Sequence, residues 1–250
     1  MKTKELYDEL SKIIPAELSC PWDNDGLSVL PSPEHESKKI LMALDLRNCV
    51  IEYARKNGFD TVITHHPLIF SKLSELSGGT LPSEKAVRLI RYGIAAMSFH
   101  TRYDAVEGGV SDILCRTLGY EPEMSFGEGG CARICTVGET DTDSFAKKVK
   151  DIFGAAHFFC EKGCDTVRKI AVCGGSAGDF TGEAKALGAD TFICGEMRYH
   201  TATDAADTGM NVICVGHYES EAPALQHLRD IVGGVCGAYT EIYGVEQYAV

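Results

Sequence analysis

One stretch of this sequence occurs twice. Lys39-Ile40 opens an apolar run that recurs from Lys169-Ile170, and the segment Gly-Phe-Asp-Thr-Val-Ile from Gly58 to Ile63 returns as Gly-Ala-Asp-Thr-Phe-Ile from Gly188 to Ile193. Both echoes share one offset. After a connection of different length, a helix-glycine-strand unit at Gly93-Ile94 recurs at Gly209-Met210, with His100 and His217 just past the two strand ends. An echo of this order predicts two copies of one α/β unit. The division falls into a first half, residues 1–125, and a second half, residues 126–250. Residues 121–165 have no counterpart in the first half and read as a connecting piece with a glycine loop at 127–130.

Within each copy, short apolar runs alternate with amphipathic stretches, the pattern of a largely buried sheet covered by helices. Strands are predicted at 39–44, 61–64, 94–99, 132–137, 169–173, 191–194 and 211–215. Helices are predicted at 48–56, 83–92, 111–118, 144–153, 181–187, 201–207 and 221–230. Several helices begin with Ser, Thr or Asn and stop at Gly93, Gly119, Gly188 or Gly209, as capping requires. Residues 1–14 form an amphipathic segment with Leu6, Leu10, Ile13 and Ile14 on one side, unlike the continuous apolar core of a secretory signal. No stretch reaches membrane-spanning length, and a cytoplasmic protein is expected.

The charge balance narrows the partners. With 24 basic against 36 acidic residues the formal charge is -12, and no Lys/Arg run is present, which argues against nucleic acid or an anionic membrane as partner. An anionic ligand would need a local basic pocket or bound cations. The 11 cysteines are odd in number and sit mostly in apolar runs, which fits buried thiols in a reducing compartment. The pairs Cys131/Cys135 and Cys160/Cys164 are spaced for a zinc reading, but Cys135 lies in a predicted strand rather than on a knuckle turn, so structural thiols are preferred.

The chemistry gathers where strands hand over to loops, the end of an open parallel sheet that collects ligands. His65-His66-Pro67 follows one strand; neighbouring side chains there can serve one centre only if the chain turns, and Pro67 suits a turn. His100-Thr101-Arg102-Tyr103-Asp104 follows another. His217 and Glu221 follow a third, spaced to share one face if a helix begins near His217. Four of the eight histidines lie in these clusters, which favours a common role over separate local hydrogen bonds. Imidazole and carboxylate together suit borderline divalent ions, and a shared carboxylate can hold two of them roughly 3.5–4 Å apart.

Five segments resemble the NIF-three-like family, whose members carry the name GTP cyclohydrolase 1 type 2 homologue. They are Trp22-Asp23-Asn24-Asp25-Gly26-Leu27, His65-His66-Pro67-Leu68-Ile69-Phe70, His100-Thr101 with Asp104, Gly195-Glu196-Met197-Arg198-Tyr199-His200, and Gly216-His217-Tyr218 with Ser220-Glu221. The resemblance implies two similar α/β halves related by duplication, with a metal site at the C-terminal ends of strands between the halves. It implies two divalent ions (Zn, Mn, Fe, Co or Ni) held by His65, His66, Asp104, His217 and Glu221, with Glu221 bridging, and a ring-shaped homohexamer. Two departures stand out. The fourth segment has Gly195-Glu196 where the family has Gly-Asp, and the third carries Arg102-Tyr103 where small or apolar residues are familiar, a change expected to alter the pocket's charge or size.

Around these ligands, His100 is the candidate general base, and Asn24, Asp45, Glu196 and His200 are candidates for a supporting shell or substrate pocket. The Gly174–Asp179 run lacks the Walker lysine and the full dinucleotide fingerprint, and reads as a tight turn rather than an anion cradle. Trp22 reads as a plug over a core edge rather than a stacking residue. The expectation is a metal-dependent hydrolase acting on a small anionic or nucleotide-like substrate. The competing readings are a dinuclear phosphoesterase or amidohydrolase, and a metal-binding hexameric scaffold without turnover.

Overall fold

The structure is a computed structural model and describes residues 1–244. Two compact units are present: Met1–Tyr103 with the segment from Leu225 onward, and Asp104–Ala224.

The first unit opens with α1 (Thr3–Ile13), whose Leu6 and Leu10 are fully buried together with Ile14 just beyond it. Ile13, expected on the same side, is 46% exposed: adjacent helical positions are about 100° apart, and burying Ile14 turns Ile13 outward. The strands are β1 (Gly26–Val29), β2 (Lys39–Ala43), β3 (Thr61–Thr64), β4 (Ala95–Ser98) and, from the far end of the chain, β11 (Tyr239–Ile242). Their order is β1-β4-β3-β2-β11, parallel except for β1. Helices α2 (Asn48–Lys56) and α3 (Leu81–Tyr92) connect the parallel strands, and α3 ends at Gly93 in the left-handed region, as its cap position predicts. Leu41, Val50, Ile51, Val62, Leu89 and Ala96 are among the residues of the core between helices and sheet.

The second unit carries β5 (Met124–Phe126), β6 (Ala132–Asp141), β7 (Phe159–Glu161), β8 (Thr166–Ser176), β9 (Thr191–Glu196) and β10 (Asn211–Cys214). They are ordered β5-β6-β8-β9-β10-β7, with β8, β9 and β10 parallel. Short α4 (Thr101–Ala105) leads into this unit, followed by α5 (Val110–Thr117), α6 (Thr142–Phe153), α7 (Thr181–Ala186), α8 (Tyr199–Asp207) and the start of α9 (His217–Cys236), whose residues from Leu225 belong to the first unit. The sheet is buried on both faces, with Ala171, Phe192 and Val212 in one cluster and Ile170, Ile193 and Ile213 in the other. No helix among the described residues is long and apolar enough to cross a membrane.

The duplication is visible bond by bond. Asp60, just before β3, accepts from the amides of Lys38 and Lys39 and from the Thr61 hydroxyl; Asp190, just before β9, accepts from the amides of Arg168 and Lys169 and from the Thr191 hydroxyl. The registers match too, Ile40 with Thr61 and Thr61 with Ala95 in one unit, Ile170 with Thr191 and Thr191 with Asn211 in the other. An antiparallel edge strand, β1 or β7, closes the equivalent side of each sheet. The other side differs: β2 takes β11 in parallel, while β8 takes β6 antiparallel.

Several elements depart from the sequence expectation. Strands β1, β5, β7 and β11 were not anticipated, because three or four residues at a sheet edge are too short to show a period. The 121–165 stretch contributes β5, β6 and β7 to the second sheet, and α6 besides, rather than a detached connection. Strand β8 continues through Gly174 and Gly175 to Ser176, with an irregular register where a turn was expected. Helix α9 starts at His217, not at 221, and passes Pro223, which withholds one amide from the ladder.

Candidate metal centre

In the first unit, the end of β3 delivers two histidines. Thr64 Oγ1 donates to the His66 carbonyl at 2.7 Å and turns the chain at once, so that neighbouring rings lie 5.0 Å apart between centroids. His65 is buried, His66 half-buried, and His100, two residues past β4, brings its ring within 5.2 and 5.4 Å of theirs. One ring nitrogen from each of the three lies within 4.8 Å of the others, a group that could hold a metal ion.

The hydrogen bonds at Nδ1 decide which nitrogen is offered. His65 Nδ1 is 2.9 Å from the Phe99 carbonyl, His66 Nδ1 is 2.9 Å from Asp45 Oδ1, and His100 Nδ1 is 3.0 Å from both carboxylate oxygens of Asp23. Carbonyls and carboxylates only accept, so each Nδ1 carries the proton, and in the neutral ring Nε2 keeps the lone pair. Acceptors behind the ring that fix the tautomer are the usual support of a ligating histidine.

Asp23 and Asp25 build the frame behind His100. The Asp23 carboxylate, wholly buried, also accepts from the Thr101 amide at 3.1 Å and its hydroxyl at 2.6 Å. Burial alone would raise its pKa, but the bonds from His100 and Thr101 outweigh that and hold the carboxyl well below its ordinary value. Asp25 takes the His100 amide at 3.0 Å and Arg102 Nε at 2.8 Å. Arg102 is therefore a buried strut, not a pocket wall: its guanidinium also reaches Tyr7 and the Ile14 carbonyl and lies over the Phe99 ring. Tyr103 is buried as well, its hydroxyl 3.3 Å from His227 Nδ1. The change of charge expected in the pocket does not follow, because the Arg102 side chain faces the interior, while the buried Tyr103 ring lies edge-on to His65 at 6.5 Å between centroids.

In the second unit, α9 places His217 and Glu221 one turn apart, with Nε2 and Oε1 separated by 3.3 Å. His217 Nδ1 is 3.2 Å from Glu196 Oε1, so that carboxylates face both ring nitrogens, unlike the arrangement at the other three histidines. The longer side chain at 196 thus reaches the imidazole from the end of β9. Glu221 is buried, 4% exposed, although it is a carboxylate. Glycines keep the space around this pair open. Gly175 has φ +62°, and a Cβ there would lie 2.5 Å from Glu221 Oε1 and 3.3 Å from His217 Nε2. Its amide donates to Ser220 Oγ at 3.0 Å, and Ser220 Oγ donates to the His217 carbonyl at 2.7 Å, pinning the first turn of α9. Asp104 lies half-buried in α4, where the second unit begins.

The remaining candidates separate clearly. Asp45 supports His66 and Glu196 supports His217. Asn24 is a loop tie, its side-chain amide donating to the Ile69 carbonyl at 2.6 Å. His200 is exposed on the first turn of α8 and stands apart from the clustered donors. Asp23, unremarked in the sequence beyond its place in a family segment, holds His100. The cysteines supply no member of a metal-holding group among the described residues: Cys135 contacts the Cys115 thiol at 3.0 Å, and Cys164 donates to the Thr166 carbonyl. The donor chemistry fits borderline divalent cations, with neutral imidazoles and a carboxylate and no thiolate.

Residues 1–244 match the family model described as Duf34/NIF3 (NGG1p interacting factor 3). A GTP cyclohydrolase 1 type 2 homolog of Clostridium perfringens is 34% identical over 233 residues, covering 90% of this chain and 88% of that protein. The crystal structure of Staphylococcus aureus hypothetical protein SA1388 superposes with a TM-score of 0.87 at 22% identity, covering 100% of this chain and 98% of the other. A Bacillus cereus protein related to NIF3 superposes at 0.86 with 19% identity, over 100% and 98%. These two likenesses speak to the fold.

Proposed function

The chain belongs to the Duf34/NIF3 family, and from that premise we propose that it is a metal-dependent hydrolase acting on a small anionic or nucleotide-like substrate. The observation that carries the reading is the pair His65 and His66, whose Nδ1 atoms are tied to acceptors so that Nε2 is left for a ligand, together with the His217–Glu221 pair. His65, His66, Asp104, His217 and Glu221 would hold two divalent ions. Such ions, when bound, act as Lewis acids and bring the pKa of water from about 15.7 to near 7.

The chain's own residues supply the rest. Asp45, Glu196 and the Phe99 carbonyl orient the ligating rings. His100, held by Asp23, takes or returns a proton at Nε2 beside the site. Bound cations would offset part of the formal charge of -12 locally, making an anionic substrate acceptable. Ring-opening hydrolysis of a purine nucleotide is the reaction suggested by the relatives' name. We also propose a homohexamer, whose mass light scattering would report; one or two chains would count against it.

Elemental analysis tests the metal assignment. His65→Ala and Glu221→Ala should each lose most of the divalent metal carried by the wild-type protein, and unchanged metal content would sink it. Metal retained with no turnover of GTP, phosphate esters or cyclic amides would favour a binding scaffold instead.

A further inference from the structure

Trp22 is not a plug. It is 52% exposed, and Phe70, from the loop after the His65-His66 pair, is 55% exposed beside it, with ring centroids 6.0 Å apart and planes inclined by 33°. Both rings meet His100 nearly edge-on, at 6.2 Å and 75° for Trp22 and 5.9 Å and 68° for Phe70. Two large apolar rings therefore lie open to solvent against the histidine of the metal-holding group that Asp23 keeps in place.

Their exposure is held by the surrounding bonds. The Cys20 amide donates to Thr101 Oγ1, Asp23 and Asp25 take the amides of Thr101 and His100, and the Asn24 side chain donates to the Ile69 carbonyl. The loop bearing Trp22 is thus pinned on both sides of the ring and tied to the segment bearing Phe70. The Asp23 carboxylate faces inward, 0% exposed, so its charge is turned away from solvent next to the rings. Rings inclined this way present one shallow aromatic surface, and a conjugated ring gains offset-stacking contact on it that an aliphatic group of equal area does not.

We infer that Trp22 and Phe70 form a stacking subsite for a flat conjugated heterocycle, a ring of nucleobase type carried by the substrate of the neighbouring histidine site. The inference rests on the proposed hydrolytic reading for its reaction, and on the rings alone for its ligand. The histidines would then act on the part of the substrate lying beyond the stacked ring.

The test uses the chain's own reporter, because Trp22 is the single tryptophan. Purine nucleosides, guanosine and adenosine, should quench its emission saturably, and ribose should not. Phe70→Ala should weaken nucleoside binding by about tenfold, within the range of one base–aromatic stack. Phe70→Tyr should restore it; both side chains are exposed, so folding is not at issue. His65→Ala should leave the quenching intact while losing metal, which separates failure of the metal reading from failure of this one. Absence of saturable quenching, equal quenching by ribose, or no effect of Phe70→Ala would overturn the subsite. Emission that changes with protein concentration instead of nucleoside would assign the patch to a second copy and overturn it as well.

Discussion

Asp23 shows how much one residue can organise. It accepts from His100 Nδ1, from the Thr101 amide and hydroxyl, and from the Asn24 amide at 2.8 Å, all with a buried carboxylate. Its folded pKa lies below the unfolded one, the donors outweighing burial. The charged form's contribution to stability is therefore complete above the unfolded value of about 3.9 and is lost as pH falls through it toward the folded value. Urea midpoints across the acid range should fall for the wild type, and Asp23→Asn should be less stable near neutrality but flatter below pH of about 4. An unchanged acid limb would show that other carboxylates dominate. Nothing local in the sequence marks Asp23 as the partner of His100, because the two meet only after β1 and β4 pair.

At the scale of elements, the repeat makes a symmetric prediction. Asp60 and Asp190 each fasten the entry of a neighbouring strand by accepting two backbone amides. Asp60→Ala and Asp190→Ala should each cost about 1–3 kcal/mol in urea unfolding, the range for hydrogen bonds to a charged group. A large inequality would mean that one copy has moved that load elsewhere. Helix α2 and strand β3 match the sequence expectation at both ends, α2 because it has a clear helical period and β3 because it is a buried apolar run that opens on the repeated Asp-Thr step. β1, β5, β7 and β11 were invisible for the opposite reason: an edge strand owes its existence to a neighbour's unpaired backbone, and side-chain pattern does not announce it. Glycines 174 and 175 look like a turn in sequence, yet they sit in β8, because the space they leave open is set by Glu221 and His217 from a helix far along the chain.

For the whole molecule, the final strand carries the clearest consequence. Sequence position puts residues 126–250 in the second half, but β11 pairs in parallel with β2 from Lys39 to Met42, and Glu241 accepts from the Tyr53 hydroxyl at 2.6 Å. A chain ended after Cys236 would leave β2 as a bare edge and lose the Tyr53–Tyr243 ring contact. At about 2–4 °C per kcal/mol, loss of about 2–3 kcal/mol should lower the melting temperature by about 5–10 °C. No change in calorimetry would show that the strand is dispensable. The sequence by itself determined the α/β class, the duplication and the strand-end positions of His65, His66, His100 and His217, because hydrophobic period and repeated segments are local properties of a chain. It could not determine the tautomers of His65, His66 and His100, the inward turn of Arg102, the support from Asp23, or the open face of Trp22 and Phe70. Those depend on which distant backbone groups and side chains arrive beside each ring, and only tertiary packing decides that.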